Sequence, residues 1–443
     1  MKKIILVISV VFAGFILFAQ ETVSPAPPQK GSTVITNATV HKGNGEVLEN
    51  ASVVITDGKI VAVGTNVTIP AGAEKVDAHG KHVYPGLILP ISTLGLVEIS
   101  AVRATQDTRE LGDMNPNVRS IVAYNTDSKV INTLRSNGIL LANIIPEGEF
   151  LAGSSSVVQL DAWNWEDAAY KTDAGMHLYM PSLMSRRGRF RGAGRSGPQG
   201  GGADRDPEQE GLDKIEELKD FFREAKAYLE EPTHKQTNLK YEAVKGLFDK
   251  SQKFYVHANI VKQMLLALDF VKEFNFDVVI VGGADSWQIA DLLKQHNVSV
   301  ILRQPHSLPT SMDDDVDQPY KTAAMLQKAG VLFSISDEDD NTRGRNLAFN
   351  AGTAAAYGLT KEQALQAVTL NAAKIMGVAD KTGSIEVGKD ANIVISEGDI
   401  LDMRTSLVTD AFIQGRKIDL TDKQKLLDEK YNKKYNLTPA KAF

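Results

Sequence analysis

The chain has 443 residues, of which 43% are hydrophobic and 23% charged, and these values describe an ordinary globular protein with a sizeable core. Its net charge of −6 at pH 7 argues against a protein that binds nucleic acid or anionic membranes. It contains no cysteine, which excludes disulfides, a thiol nucleophile and cysteine-bound metal. Any metal would therefore need the eight histidines and the carboxylates.

The first 20 residues are typical of a bacterial secretory signal peptide, because Lys2 and Lys3 precede a short apolar run that ends at Ala19 and Gln20. A transmembrane anchor is the alternative, although the run is short for a membrane span and a polar, proline-containing segment follows it. A lipoprotein is excluded, since no cysteine is present to carry the lipid. We therefore expect an exported, periplasmic protein that has no membrane contact once the signal is removed.

Residues 32–85 predict short β-strands separated by turns. Runs rich in β-branched residues cover 32–40 and 51–56, and the second run is followed by Asp57-Gly58 and a further apolar run. An Asp-Gly pair between two such runs predicts a tight hairpin. Residues 381–420, near the other end of the chain, predict more strands.

Strand and helix patterns alternate between about residues 240 and 380, which predicts βα units and a parallel sheet. The predicted strands are short apolar runs, as expected for strands that are covered on both faces. These strands occupy residues 254–257, 277–281, 298–302 and 331–336. The predicted helices cover residues 260–274, 285–296, 319–329, 345–357 and 361–376.

Residues 185–211 are rich in glycine and arginine and then acidic, so they predict a flexible Gly/Arg insertion. Contact with RNA or another polyanion is the alternative function of such a segment. Export, the acidic net charge and the scarcity of interleaved aromatic residues argue against it, and we expect no nucleic-acid partner. Amphipathic helices are predicted for residues 212–231 and within the C-terminal tail, residues 421–443.

Two segments carry distinctive motifs. Residues 77–96 read DAHGKHVYPGLILPISTLGL, close to the pattern D-A-x-G-K-x-V-x-P-G-L-I-D-x-H-x-H-L-G-L, and residues 383–395 read GSIEVGKDANIVI. Both resemble the amidohydrolase superfamily, near its imidazolonepropionase-like group. The resemblance implies an α/β fold, with a (β/α)8 TIM-type barrel over residues 86–380. It also implies a small composite β-sandwich domain built from both ends of the chain, residues 32–85 and 381–420.

In that superfamily the metal ligands include a His-x-His pair on the first barrel strand and a histidine on the sixth. The ungapped match places Leu89 at an aspartate position, and Ile91 and Thr93 at the two histidine positions. On the sixth strand the match places Gly282 at the ligand position. Isoleucine, a lone threonine hydroxyl and glycine are not zinc ligands, since zinc prefers imidazole, thiolate or carboxylate.

Two ligand positions of the superfamily are retained. His257, in YVHAN, matches the fifth-strand histidine, and Asp337, in FSISD, matches the eighth-strand aspartate that serves as general base. A structural histidine and a solvated acidic turn are the alternatives. Catalytic zinc normally has three protein ligands and a water, so the resemblance implies at most one weakly bound divalent metal such as zinc. Without metal, His257 and Asp337 could form a general-base dyad across the barrel mouth.

Three further residues complete the candidate site as substrate-binding groups. His306, after the seventh predicted strand, is a donor or ligand, with loop packing as the alternative. Asn259 and Arg303 follow the fifth and seventh predicted strands. No fourth-strand ligand is assigned, because residues 139–158 contain no lysine and their two glutamates lie in a Pro-Gly turn.

Two functions remain open. The first is an exported hydrolase that acts on a non-peptide C–N bond, in a cyclic amide or a small peptide-like amide, with most metal ligands missing. The alternative is a catalytically inactive homologue that binds a small ligand or serves as a partner subunit. The expected partners are a small molecule and, for oligomers, a second copy of the chain or an active relative.

Overall fold

A computed structural model describes residues 23–183, 206–337 and 342–437. The predicted signal peptide, residues 1–20, and residues 185–205 of the predicted insertion lie outside the described residues. No helix within these three ranges is long and apolar enough to cross a membrane.

Strands and helices follow one another along the described chain. The first strands are β1 (Ser32–His41), β2 (Val47–Thr56), β3 (Lys59–Gly64), β4 (Glu74–Asp77) and β5 (His82–Pro85). The barrel strands are β6 (Leu87–Ser92), β7 (Ile139–Ile144), β8 (Leu151–Gln159), β9 (Ala169–Tyr179), β10 (Lys253–Ala258), β11 (Val278–Gly282), β12 (Ser299–Leu302) and β13 (Phe333–Ile335). The last strands are β14 (Ile393–Ser396), β15 (Val408–Ile413) and β16 (Arg416–Lys417). The helices are α1 (Lys129–Ser136), α2 (Trp165–Ala168), α3 (Pro207–Glu230), α4 (Leu239–Ala243), α5 (Lys245–Phe248), α6 (Val261–Phe274), α7 (Ala290–Gln295), α8 (Gln318–Ala329), α9 (Leu347–Ala356), α10 (Lys361–Ala367), α11 (Leu370–Met376) and α12 (Lys423–Tyr435).

One sheet joins the two ends of the chain. Its strand order is β16-β15-β14-β5-β1-β2-β3, with β4 beside β1, and the antiparallel pairing of β5 with β14 connects the N-terminal strands to the C-terminal ones. The predicted Asp57-Gly58 turn links β2 to β3, and both residues have positive φ, 50° and 76°, as a tight hairpin turn requires. The predicted small β-domain built from both ends of the chain is therefore confirmed.

The second sheet is the barrel, with strands in the order β6 to β13. Neighbouring strands are parallel except at β8, which is antiparallel to both β7 and β9. The connection between β7 and β8 is too short for a parallel crossover, which needs a dozen or more residues, so β8 reverses. A hydrogen bond of 3.3 Å from Ser336 Oγ to the carbonyl oxygen of Ile91 links the two ends of the sheet. The predicted barrel fold is confirmed, with one reversed strand.

Three helices differ from their predicted bounds. The helix predicted for 285–296 begins as a 3-10 helix, Ser286–Ile289, and continues as α7 from Ala290. Helix α3 begins at Pro207 rather than at 212, because the Asp206 side chain accepts a hydrogen bond from the Glu208 amide and proline fits the first helical turn. Residues 207–211 thus belong to a helix and not to the predicted insertion. The single helix predicted for 361–376 is two helices, α10 and α11, separated at Thr369, whose φ and ψ are −133° and −94°.

Candidate functional site

The five ligand positions of the predicted site lie at one end of the barrel. Ile91 lies in β6, His257 is the penultimate residue of β10, and Gly282 is the last residue of β11. Thr93 follows β6 directly, and Asp337 follows β13 by two residues. These strands are parallel, so all five positions lie at their C-terminal ends, where barrel active sites form.

Aliphatic side chains fill the barrel interior beside the first-strand position. Ile91 is 2% exposed and belongs to the same buried cluster as Val281 and Ile301. The other members of this cluster are Ile145, Tyr255, Val279 and Ile375, with Leu332 packed against it. The side of the barrel formed by the first, sixth and seventh strands is therefore closed by hydrocarbon.

The backbone conformation and the Asn259 side chain disfavour a side chain at the sixth-strand position. Gly282 has a φ of +98°, in the region that favours glycine. A Cβ atom built on it would lie 2.4 Å from Asn259 Oδ1 and 3.3 Å from the carbonyl oxygen of Ala258. Asn259, which is predicted to bind substrate, has its Oδ1 in the space where such a Cβ would lie.

His257 pairs with a histidine that the sequence analysis missed. Its Nε2 lies 3.0 Å from Nδ1 of His177, a fully buried residue of β9. His177 stacks on Tyr255 with ring centroids 4.7 Å apart, and His257 stacks on Tyr179 at 4.0 Å. Among the described residues, the hydrogen-bond partner of the His257 ring is His177 and not Asp337.

The fourth barrel strand is therefore β9 and not part of residues 139–158. Those residues form most of β7 and β8, the second and third barrel strands. The signal for His177 was present, since this histidine lies in an apolar run, AGMHLYM, just as His257 does in FYVHA. The resemblance implies lysine or glutamate on the fourth strand, whereas this strand, β9, lies beyond residues 139–158 and carries a histidine.

Both imidazoles are held in the neutral form. Burial lowers the pKa of His257 to about 3, and the positive charge of Arg303 contributes. Burial also lowers the pKa of His177 well below its usual range, and the neighbouring His257 adds to the effect. In the neutral pair one ring nitrogen donates and the other accepts. A base with a pKa of about 3 is poorly matched to proton abstraction near neutral pH.

Asp337 is held on the opposite side of the barrel mouth. Its side chain is 5% exposed, and Oδ2 accepts a hydrogen bond of 3.0 Å from Asn350 Nδ2 in α9. Helix α9 follows the eighth strand, as the sequence pattern predicts. The predicted general base is therefore a buried carboxylate just after the eighth barrel strand.

The remaining predicted residues lie in loops at the same barrel end. His306 is exposed, with Nε2 3.3 Å from Thr353 Oγ1 and its ring edge-on to Tyr320 at 5.5 Å. Arg303 is exposed, and with Asn259 it lines a cavity at the ends of β10 to β13. This cavity has a volume of about 80 Å³, enough for several water molecules or a small ligand group.

The ligand set does not fit a catalytic zinc ion. Within residues 23–183, 206–337 and 342–437, no group of three or more His, Asp or Glu side chains is placed to hold a metal ion. His177 and His257 supply two imidazole nitrogens, whereas catalytic zinc needs three protein ligands. The positions that would complete the set carry Ile91, Thr93 and Gly282.

The comparisons with known proteins agree on one family. The model of the amidohydrolase family matches residues 167–418. The imidazolonepropionase of Thermoplasma volcanium is 40% identical over 86 residues, which cover 19% of this chain and 21% of that protein. The imidazolonepropionase of Flavobacterium johnsoniae is 34% identical over 82 residues, covering 18% and 20%. The chain thus matches about a fifth of the length of these curated relatives.

A solved structure resembles nearly the whole described chain. The crystal structure of an amidohydrolase from Thermotoga maritima MSB8 superposes with a TM-score of 0.76 and 25% sequence identity. The superposition covers 87% of this chain and 99% of that protein. The similarity therefore includes the barrel and the small β-domain together.

Proposed function

This chain belongs to the amidohydrolase family of hydrolases, and from that premise we propose that it binds a small amide-bearing molecule at the barrel mouth without zinc-dependent hydrolysis. The observation that carries the proposal is the interior packing of Ile91 against Val281 and Ile301. This hydrocarbon cluster stands where the first-strand ligands of the superfamily would project. The cavity at the ends of β10 to β13, lined by Asn259 and Arg303, supplies a place for the ligand.

Steric and electrostatic features support the same proposal. The positive φ of Gly282 disfavours a sixth-strand histidine, which would also displace the Asn259 side chain. His177 is fully buried, His257 is half-buried and both are neutral, which suits packing and hydrogen bonding better than proton transfer at neutral pH. Neither feature removes the barrel mouth as a binding surface.

Hydrolysis of a non-peptide C–N bond is the second candidate function. Asp337 favours it, because a buried aspartate at the end of the eighth strand, oriented by Asn350, is where the superfamily keeps its general base. In this version Asp337 would deprotonate a water molecule that attacks the amide carbon. His257 would orient the substrate as a neutral donor or acceptor.

Metal analysis of the purified, zinc-supplemented protein distinguishes a binding protein or a metal-free hydrolase from a metal-dependent hydrolase. We expect less than about 0.1 zinc per chain, since two imidazoles make a weak site. Stoichiometric zinc that disappears in His257→Ala or Asp337→Asn would overturn the proposal. Cyclic and peptide-like amides are then assayed with and without chelator. Turnover that is unaffected by the chelator but lost in Asp337→Asn supports the metal-free hydrolase. No turnover of any of these amides supports the binding protein.

Export to the periplasm and assembly with a second copy or an active relative remain part of the proposal. The charged and apolar pattern of residues 1–20 supports export. Recovery of the shortened chain by osmotic shock of producing cells is the expected result, and a full-length chain retained in the cytoplasm would contradict export. Size-exclusion chromatography with light scattering measures the assembly state.

A further inference from the structure

A buried carboxylate without a cationic partner among the described residues lines the cavity at the ends of β10 to β13. Asp285 lies just after β11 and is 8% exposed. It makes no ion pair with any lysine, arginine or histidine of the described residues. Its polar partners are the Thr310 side chain and the Val261 backbone. Buried charges are normally paired, so this carboxylate lacks the counter-ion that burial calls for.

The lining also holds one positive charge, the exposed Arg303, and a second carboxylate leaves the cavity with a net negative charge. Asp314, which also lines it, is half-buried and likewise has no cationic partner in the described ranges. Burial raises the pKa of Asp285, and the negative charge of Asp314 raises it further. Two carboxylates that share a cavity disfavour each other's charge, and a cation between them would relieve that repulsion.

The rest of the lining indicates what kind of cation would fit. Trp287 and Tyr320 present aromatic rings, which attract organic cations. Leu302, Pro305 and Leu308 present hydrocarbon. An inorganic divalent ion is disfavoured, because no group of three His, Asp or Glu side chains is placed to hold a metal among the described residues.

We infer that this cavity binds a small organic ammonium ion attached to an apolar group, with Asp285 as its counter-ion. The inference rests on the proposed ligand-binding function and names the ligand class, an α-amino amide with an apolar side chain. The ammonium group lies between Asp285 and Asp314, and the alkyl group lies against Leu308 and its apolar neighbours.

Titration calorimetry of the whole protein with three related compounds tests the inference. L-leucinamide carries the ammonium and the amide, isoamylamine keeps the ammonium alone, and N-acetyl-L-leucinamide keeps only neutral amides. We expect the first two to bind and the third to bind at least about tenfold more weakly, since it cannot pair with Asp285. Trp287 is the tryptophan that lines the cavity, so its fluorescence provides a second readout.

Two charge-neutralising variants locate the binding site. Asp285→Asn removes the proposed counter-ion and should weaken L-leucinamide at least about tenfold. Asp291→Asn removes the same charge from an exposed position of α7 and should leave binding unchanged. If Asp285→Asn does not fold, Asp314→Asn replaces it, with a smaller loss expected at this half-buried position.

The outcomes separate this inference from the proposed function. Equal binding of L-leucinamide and N-acetyl-L-leucinamide, unaffected by Asp285→Asn, would overturn the ammonium site and leave an amide-binding protein. Binding of isoamylamine as tight as L-leucinamide would keep the ammonium site and contradict an amide ligand. No binding by any of the three would mean that Asp285 is protonated rather than paired, and would overturn the inference. Binding should also weaken as the pH falls, because Asp285 takes up a proton and loses its charge.

Discussion

Replacing Gly282 by alanine tests whether the sixth-strand ligand position is sterically closed. Gly282 has a φ of +98°, and an added Cβ would lie 2.4 Å from Asn259 Oδ1. Real Cβ atoms do not approach so closely, so either Asn259 or the backbone must shift. A histidine at this position would carry the same Cβ and meet the same obstacle. The loss of unfolding free energy in Gly282→Ala therefore measures the cost of the first side-chain carbon that a ligand residue at this position would need.

The expected cost has two parts. An alanine with positive φ costs about 1–2 kcal/mol of unfolding free energy. The forced contact with Asn259 adds about 1–3 kcal/mol, the usual range for overpacking. Gly330→Ala is a matched control in the barrel, because Gly330 has a φ of +73° but its nearest neighbouring atom, Lys294 Cε, is 3.6 Å from the added carbon. We expect about 1–2 kcal/mol for the control and about 2–5 kcal/mol for Gly282→Ala.

Urea unfolding followed by circular dichroism gives both free energies. The double variant Gly282→Ala with Asn259→Ala removes the crowded oxygen, so it should recover about 1–3 kcal/mol relative to the sum of the single changes. A Gly282→Ala variant no less stable than Gly330→Ala would refute the steric reasoning. So would a double variant in which the two effects simply add.

Three further predictions concern the barrel and its support. Because burial lowers the pKa of His177 and His257, the unfolded chain binds more protons than the folded protein at acid pH. The unfolding free energy should therefore fall by about 1 kcal/mol or more between pH 7 and pH 5, and it should fall less steeply in His177→Asn. Equal pH dependence of the unfolding free energy in the two proteins would count against the neutral pair. Arg135 is 3% exposed and lies 2.5 Å from Asp161, so Asp161→Asn removes the ion-pair partner of a buried cation. The unfolding free energy measured in urea should fall by about 3 kcal/mol, and a fall of less than about 1 kcal/mol would contradict this. Ile91→Ala should cost about 2–4 kcal/mol in calorimetric or urea unfolding, whereas a neutral effect would mean that Ile91 does not hold the interior closed.

Most of the fold was predictable because its signals are local. The alternation of apolar runs and helical patterns after residue 240 predicted β10 to β13 within two residues at each end. The Asp57-Gly58 hairpin followed from turn chemistry alone. The reversed strand β8 was not predicted, since its direction depends on the short connections around it and on pairing with β7 and β9.

The candidate site was predictable only in part. Matching motifs predicted that Ile91, His257, Gly282 and Asp337 lie at strand ends, and the structure brings all four to one end of the barrel. His177 was missed, because only the pairing of β9 with β10 places it beside His257. The hypothesis of a His257–Asp337 dyad did not anticipate that His257 already has another imidazole as its partner.

The sequence by itself determined which atoms are available for chemistry: no thiol, and Ile91, Thr93 and Gly282 at the positions that the resemblance assigns to zinc ligands. Covalent identity needs no neighbours, so these statements hold in any conformation. Only the tertiary structure decided that Ile91 lies in an aliphatic cluster, that Asn259 crowds Gly282, and that Asp285 is buried without a counter-ion. Burial, pairing and pKa depend on groups far apart in the chain, and the closed barrel is what brings those groups together.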